Sequence, residues 1–190
     1  MEPVFTLSYS EYAAAQQLAA MFPSSKGYSL SIPLSRQEKG VDLLLTRRVA
    51  SRTRAASIQV KSSRTYSRKP PTPRTRRPFT YYTWFNNFQM PTEADYVLLV
   101  AVYPPEEGRI SRRRTSWWSP VILAFSATEM RSFLRTVKTR QGKTDRMFGF
   151  GFDEPSAIFQ TRGDEHNRFH DFSSHLLAPQ VREMRRFLSD

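Results

Sequence analysis

Apolar and polar residues alternate along three short segments in the first third of the chain. These segments are 28–34 (YSLSIPL), 40–46 (GVDLLLT) and 56–62 (ASIQVKS). Successive side chains of a strand point to opposite faces, so this period of two predicts three β-strands. The stretch RRVASRTRA between the second and third strands predicts a basic hairpin or loop.

Three further segments carry helical signals. Residues 8–22 are rich in alanine and leucine, and Ser8 or Ser10 is placed to cap the N-terminus of a helix there. A second helix is predicted over 126–137, and a third over 171–188, which we expect Pro179 to interrupt.

The rest of the chain predicts more strands joined by loops. The apolar run 94–104 predicts a buried strand, and 79–85 and 117–125 predict two others. Residues 63–78 hold four prolines and no acid, which predicts an extended basic loop, and residues 140–170 show no regular pattern. The order of elements predicts one mixed α/β domain over residues 1–190.

Composition narrows the class of protein. The chain has 190 residues and no cysteine, which excludes disulfides, thiolate zinc sites and a cysteine nucleophile. The first residues lack a basic start and an apolar stretch, so we expect no signal peptide. The longest apolar run is much shorter than the ~20 residues of a membrane span. We therefore expect a cytoplasmic or nucleoid-associated protein without membrane contact.

The formal net charge of +12 is the strongest compositional signal. Such a charge favours polyanionic partners, nucleic acid first. Most of the cations are arginine, whose planar fork matches phosphate and stacks on bases.

Asp42, Gln59 and Lys61 interrupt two otherwise apolar strands. Alternation places Gln59 and Lys61 on one face of their strand, and Asp42 opposite the leucines of its own strand. If the two strands pair as a hairpin, these three side chains converge on one side.

Glu11 lies within the apolar arc of the first predicted helix. At 100° per residue, Ala15, Leu18 and Phe22 all fall within about 40° of it. A carboxylate facing the packed side of a helix is costly without a partner, and a nearby cation or metal resolves that cost.

Two acids and an amide oxygen suit Mg²⁺ or Mn²⁺, and a lysine beside them can act on water and phosphate. With Glu on the helix followed by GVDLLL and IQVKSS, residues 8–63 resemble the PD-(D/E)XK nuclease superfamily, in the variant with glutamine at the third motif position. The resemblance implies a restriction-endonuclease-like fold, with a mixed central sheet flanked by helices. It also implies Asp42, Gln59 and Glu11 as metal ligands and Lys61 as the catalytic lysine. Gln59 replaces the acid usual in the family, and a proline-rich loop stands where the family core has a helix.

Residues 47–77 contain 11 Lys or Arg and no acid, and aromatic residues lie within and just after them. Basic residues beside aromatic ones suit contact with a nucleic-acid backbone, although most of these aromatics are expected in the core. The loop 109–114 is a second candidate. The predicted DNA-contacting residues are Arg47, Arg48, Arg52, Arg54, Arg64, Arg68, Lys69, Arg74, Arg76, Arg77, Arg112, Arg113 and Arg114.

Together these patterns predict a Mg²⁺-dependent DNA endonuclease, as a homodimer if both strands of a duplex are cut. Two alternatives stay open. One is a nuclease-like fold that binds nucleic acid without cutting it, and the other is a basic protein that binds an acidic protein partner.

Overall fold

The computed structural model describes residues 8–33, 40–67, 79–103, 119–153, 156–164 and 169–190. This part of the chain contains three α-helices: α1 (Tyr9–Met21), α2 (Ala127–Thr136) and α3 (Leu177–Phe187). Its strands are β1 (Tyr28–Ser31), β2 (Leu43–Val49), β3 (Arg52–Ser67), β4 (Tyr81–Asn86), β5 (Tyr96–Tyr103), β6 (Ser119–Ser126), β7 (Met147–Phe152) and β8 (Ile158–Arg162). No helix among these residues is long and apolar enough to cross a membrane.

All eight strands join one mixed sheet around the long strand β3. Strands β1, β2 and β3 form an antiparallel meander, and β5 lies parallel to β3 and antiparallel to β6. The last residues of β3 pair instead with β4, which continues antiparallel into β7 and β8. Strand β3 thus belongs to both halves of the sheet.

Asp95 fixes the parallel register between β3 and β5. Its Oδ2 accepts hydrogen bonds from the backbone N–H and the hydroxyl of Ser57, both at 2.8 Å. Its backbone N–H donates to the Ser57 carbonyl at 2.9 Å. These bonds hold the start of β5 beside the middle of β3.

Two hydrophobic cores lie on opposite faces of the sheet. Beneath α1 and α3, Leu18 and Met184 pack with alternate residues of the first strands, such as Leu43 and Ile58. On the other face, α2 packs on β5, β6 and the phenylalanines of β7. Alternation along the central strands supplies both cores, because each strand is covered on both sides.

Two of the three predicted helices begin where their capping residues indicated, whereas the third, predicted over 171–188, begins only at Leu177. Ser8 caps α1 and Ser126 caps α2, and each is paired with a glutamate three residues later in a capping box. The mixed α/β class and the predicted strands near 28, 43, 56, 81, 96 and 119 are also confirmed.

Three sequence predictions were wrong. Residues 63–67 form the end of β3 rather than a loop, because they find backbone partners in β4. Residues 140–170 include β7 and β8, and the glycines of β7 concealed the alternation of Phe148, Phe150 and Phe152. Pro179 does not interrupt α3, because it lies in the first turn, where its missing N–H is not needed. Residues 68–78 and 104–118 lie outside the described residues.

Candidate functional site

Asp42 stands immediately before β2 and is tied to β3 by two hydrogen bonds. Its backbone N–H donates to the Ile58 carbonyl at 2.9 Å, and its Oδ2 accepts from the Val60 N–H at 2.7 Å. The register pairs Leu43 with Ile58, so Asp42 lies across from Gln59. The carboxylate is therefore held at the end of the β2–β3 ladder.

A glycine shapes the chain as it enters this position. Gly40 has a φ of 94°, which favours glycine, and a Cβ there would lie 2.6 Å from the Cβ of Pro91. A larger residue at position 40 would displace the segment that leads into Asp42.

Gln59 and Lys61 lie on the face of β3 turned away from α1. Their neighbours Ile58 and Val60 are buried beneath that helix, so alternation directs residues 59 and 61 to the opposite side. Gln59 is half-buried and Lys61 is exposed. Gln59 and Lys61 thus lie on one face of β3, and Asp42 stands across from Gln59.

Two of these three residues, Asp42 and Gln59, supply oxygen ligands suited to a hard cation. The Oδ1 of Asp42 makes no hydrogen bond with any residue that the structure describes, and Gln59 adds an amide oxygen. Across the same residues, no group of three His, Cys, Asp or Glu side chains lies close enough to hold a metal. We call Asp42, Gln59 and Lys61 the trio; Asp42 is its one acid and Lys61 its one cation.

Glu11 has a structural role at the start of α1. Its Oε2 accepts a hydrogen bond from the Ser8 N–H at 3.3 Å, and its own N–H donates to the Ser8 hydroxyl at 3.4 Å. It belongs to the helix that covers the sheet face opposite Gln59 and Lys61. The contacts of the described residues do not bring Glu11 to Asp42.

The hairpin arginines that were predicted to contact DNA divide into two kinds. Arg47 and Arg54 are cross-strand partners that donate to the Ser189 hydroxyl and the Asp190 carbonyl, so both help to hold the chain end. Arg47 also lies over the ring of Tyr28, with 5.2 Å from its Cζ to the ring centroid. The other two, Arg48 and Arg52, are exposed at the hairpin tip.

Arg64 lies far from that hairpin. It is exposed, ten residues beyond Arg54 on β3, which is roughly 33 Å at the rise of an extended strand. The basic stretch predicted as one surface is therefore spread along a strand. Its remaining predicted members lie outside the described residues: Arg68, Lys69, Arg74, Arg76, Arg77, Arg112, Arg113 and Arg114.

The aromatic residues beside the basic stretch are only partly in the core. Phe79 and Phe85 are buried, as expected, whereas Trp84 and Tyr66 remain 39% and 36% exposed. The alternation in YYTWFN contained this signal, because Tyr82 and Trp84 occupy the face opposite Phe85. Sequence reasoning missed this exposed aromatic surface.

Comparison of the chain with protein-family models, with curated proteins and with solved structures gave no match.

Proposed function

We propose that this protein is a Mg²⁺-dependent DNA endonuclease with a restriction-endonuclease-like core. The observation that carries the proposal is the position of Asp42, which the Val60 N–H holds across from Gln59. Lys61 is exposed on β3, the strand that also carries Gln59. The order of α1, the β1–β3 meander and β5 parallel to β3 supports the same class of fold.

Each residue of the trio has a distinct role in the proposed reaction. The oxygens of Asp42 and Gln59 and the carbonyl of Val60 would hold Mg²⁺. When bound, the metal supplies Lewis-acid stabilisation of the phosphodiester and of the attacking water. Lys61 would orient that water and neutralise charge on the phosphate oxygens. Exposed arginines would contact the DNA backbone, and a homodimer would place two such sites on a duplex.

Glu11 is a further predicted metal ligand that also caps α1, and a substitution can distinguish these two roles. Glutamine at this position preserves a capping box but removes the negative charge. Glu11→Gln should therefore keep the stability of the fold. A fall in cleavage in this variant would assign Glu11 to the metal site, and unchanged cleavage would limit it to capping.

A second candidate is a nuclease-like fold that binds DNA without cutting it. The amide at Gln59 and the use of the Glu11 carboxylate within its own helix favour this candidate. The two candidates share DNA binding and differ in metal-dependent chemistry alone.

Nicking of a supercoiled plasmid tests the endonuclease. We expect wild-type protein to nick it with Mg²⁺ or Mn²⁺ but not with EDTA, and Lys61→Ala to lose about 100-fold or more in rate. Lys26→Ala, which removes an exposed lysine from a turn outside the trio, is the matched control. Cleavage by Lys61→Ala at the wild-type rate would refute the assignment, and binding without nicking would favour the second candidate.

A further inference from the structure

Three aromatic side chains form a partly exposed cluster where β3 pairs with β4. Tyr66 and Tyr82 are directly opposite in the register, and their rings stack at 5.5 Å and 26°. Trp84 lies 5.4 Å from Tyr66 and 5.9 Å from Tyr82 between ring centroids. We call these three residues the aromatic shelf. Two of these residues, Trp84 and Tyr66, are 39% and 36% exposed.

A cleft of about 340 Å³ adjoins the shelf on the side of β7 and β8. Tyr82 and Trp84 line it together with three cationic residues, Lys138, Arg140 and Arg162. Its volume lies within the range of small-ligand pockets.

A glycine in β7 leaves room for two residues that line the cleft, Trp84 and Thr161. Gly149 pairs with Trp84, and a Cβ there would lie 2.9 Å from the Thr161 hydroxyl and 3.4 Å from the Trp84 Cβ. Glycine therefore allows Trp84 and Thr161 to sit close together over the sheet.

The balance of charge in the cleft favours an anionic ligand. The carboxylate of Asp145 accepts from Arg162 at 3.3 Å, and that of Asp164 pairs with His170 at 3.5 Å. Of the two acids that line the cleft, Asp145 is thus paired with the Arg162 guanidinium, and Asp164 lies beside the His170 imidazole. Lys138 and Arg140 form no ion pair within the part of the chain that the structure describes.

The opposite side of the shelf is also open and carries one cation, Arg64. Arg64 and Tyr66 border a groove of about 770 Å³ between β3 and the start of α1. Arg64 lies two residues before Tyr66 on the same strand and is exposed. Cations therefore flank the aromatic rings on both sides, along a path that crosses the shelf.

We propose that the aromatic shelf and its flanking cations bind unpaired nucleotides of single-stranded nucleic acid. Bases would stack on Trp84 and Tyr66. The phosphates would contact Lys138 and Arg140 on one side of the shelf and Arg64 on the other. Unpaired strands are favoured over duplex because paired bases hide the faces that such rings contact. The site is separate from the Asp42 trio, and binding to it does not depend on the proposed cleavage.

Fluorescence anisotropy in EDTA tests this site without cleavage. The probes are a labelled oligothymidylate of about 12 nucleotides, within the site sizes of single-strand binders, and a duplex of equal length. The variants are Trp84→Leu and Arg140→Glu, each checked for folding by circular dichroism. Tyr12→Leu removes a 52% exposed tyrosine outside the shelf, and Arg135→Glu reverses an exposed charge on α2, so they are the matched controls.

We expect Trp84→Leu to weaken binding of the single strand about 5- to 100-fold and to change duplex binding much less. Arg140→Glu should weaken single-strand binding and reduce its dependence on salt, whereas both control variants should bind within about twofold of wild type. If Trp84→Leu does not fold, the single-strand affinity of Arg140→Glu decides the test.

Several results would overturn the proposal. They are wild-type single-strand affinity in both folded shelf variants, equal weakening of single strand and duplex by Trp84→Leu, or no binding of the oligonucleotide by wild type. The last result would leave the shelf as a contact surface for a protein. Because no metal is present, failure here is distinct from failure of the plasmid assay.

Discussion

Asp42 and Val60 are joined by a hydrogen bond in which the Val60 N–H donates to the Asp42 Oδ2 at 2.7 Å. Asp42 stands immediately before Leu43, the first residue of β2 that pairs with β3, and its carboxylate serves as the acceptor there in place of a backbone carbonyl. One side chain thus ends the β2–β3 ladder and stands across from Gln59. The proposed metal site and the local fold share the same residue.

Because Asp42 accepts this hydrogen bond, replacing it should also lower the stability of the fold. Asp42→Ala leaves the part-buried Val60 N–H without an acceptor, and we expect the free energy of unfolding to fall by about 1–3 kcal/mol. Asp42→Asn keeps an oxygen acceptor and should lose less. Urea unfolding of both variants measures the difference, and equal stabilities would show that the hydrogen bond contributes little.

The two capping boxes predict similar effects at separate helices. Ser8→Ala and Ser126→Ala each remove the side chain that accepts from the third helical N–H, and each should cost about 1 kcal/mol of stability. Thermal unfolding checks this. Ser8→Asp, which keeps a capping oxygen, should restore most of the loss at α1, and a failure to restore it would contradict the assignment.

The sequence allowed prediction of the elements whose signals are local. Alternation in YSLSIPL and IQVKSS and the serine caps of α1 and α2 were sufficient for those strands and helices. Strand β7 was missed because glycine is unfavourable in strands, although its phenylalanines alternate strictly. The end of β3 was missed because its polar residues become a strand only through pairing with β4, a partner distant in sequence.

The candidate site, too, could be predicted only where its signals are local in the sequence. Asp42, Gln59 and Lys61 followed from alternation on two neighbouring strands. The capping role of Glu11 was not anticipated, because its place in the apolar arc of the helix suggested burial. The aromatic shelf depends on the register of β3 with β4, and the adjoining cleft on a hairpin near Lys138; no local pattern contains either.

The burial of His175 predicts that the fold loses stability in mild acid. Burial lowers its pKa below the usual 6.5, more than the nearby Glu129 raises it, and its ring stacks on Phe125 at 4.2 Å. The unfolded chain therefore binds a proton more readily, so the stability contributed by neutral His175 is present above pH 6.5 and lost as pH falls below it.

The loss should not exceed about 1.4 kcal/mol per pH unit for this one proton. Thermal unfolding of wild type and His175→Phe between pH 7.5 and pH 5 measures it. The phenylalanine variant keeps a ring against Phe125 but has no titratable group, so its stability should vary less over this interval. Identical pH profiles would contradict the prediction.

Gln59→Glu tests the ligand role of the amide. If Gln59 holds Mg²⁺, a carboxylate there should lower the metal concentration for half-maximal nicking by at least about fivefold, since a second charge near the cation adds about 1 kcal/mol or more. A titration of nicking rate against Mg²⁺ measures this. An unchanged midpoint, in a variant that remains folded, would remove Gln59 from the metal site.

The most direct test of the metal site is the nicking rate of Asp42→Asn with Mg²⁺, measured beside wild type on the same supercoiled plasmid. This substitution keeps the shape of the side chain and an acceptor for the Val60 N–H, but removes the one negative charge of the trio. We predict a folded variant that binds DNA and nicks at least about 100-fold more slowly than wild type. Nicking by Asp42→Asn at the wild-type rate would contradict the metal site built on Asp42.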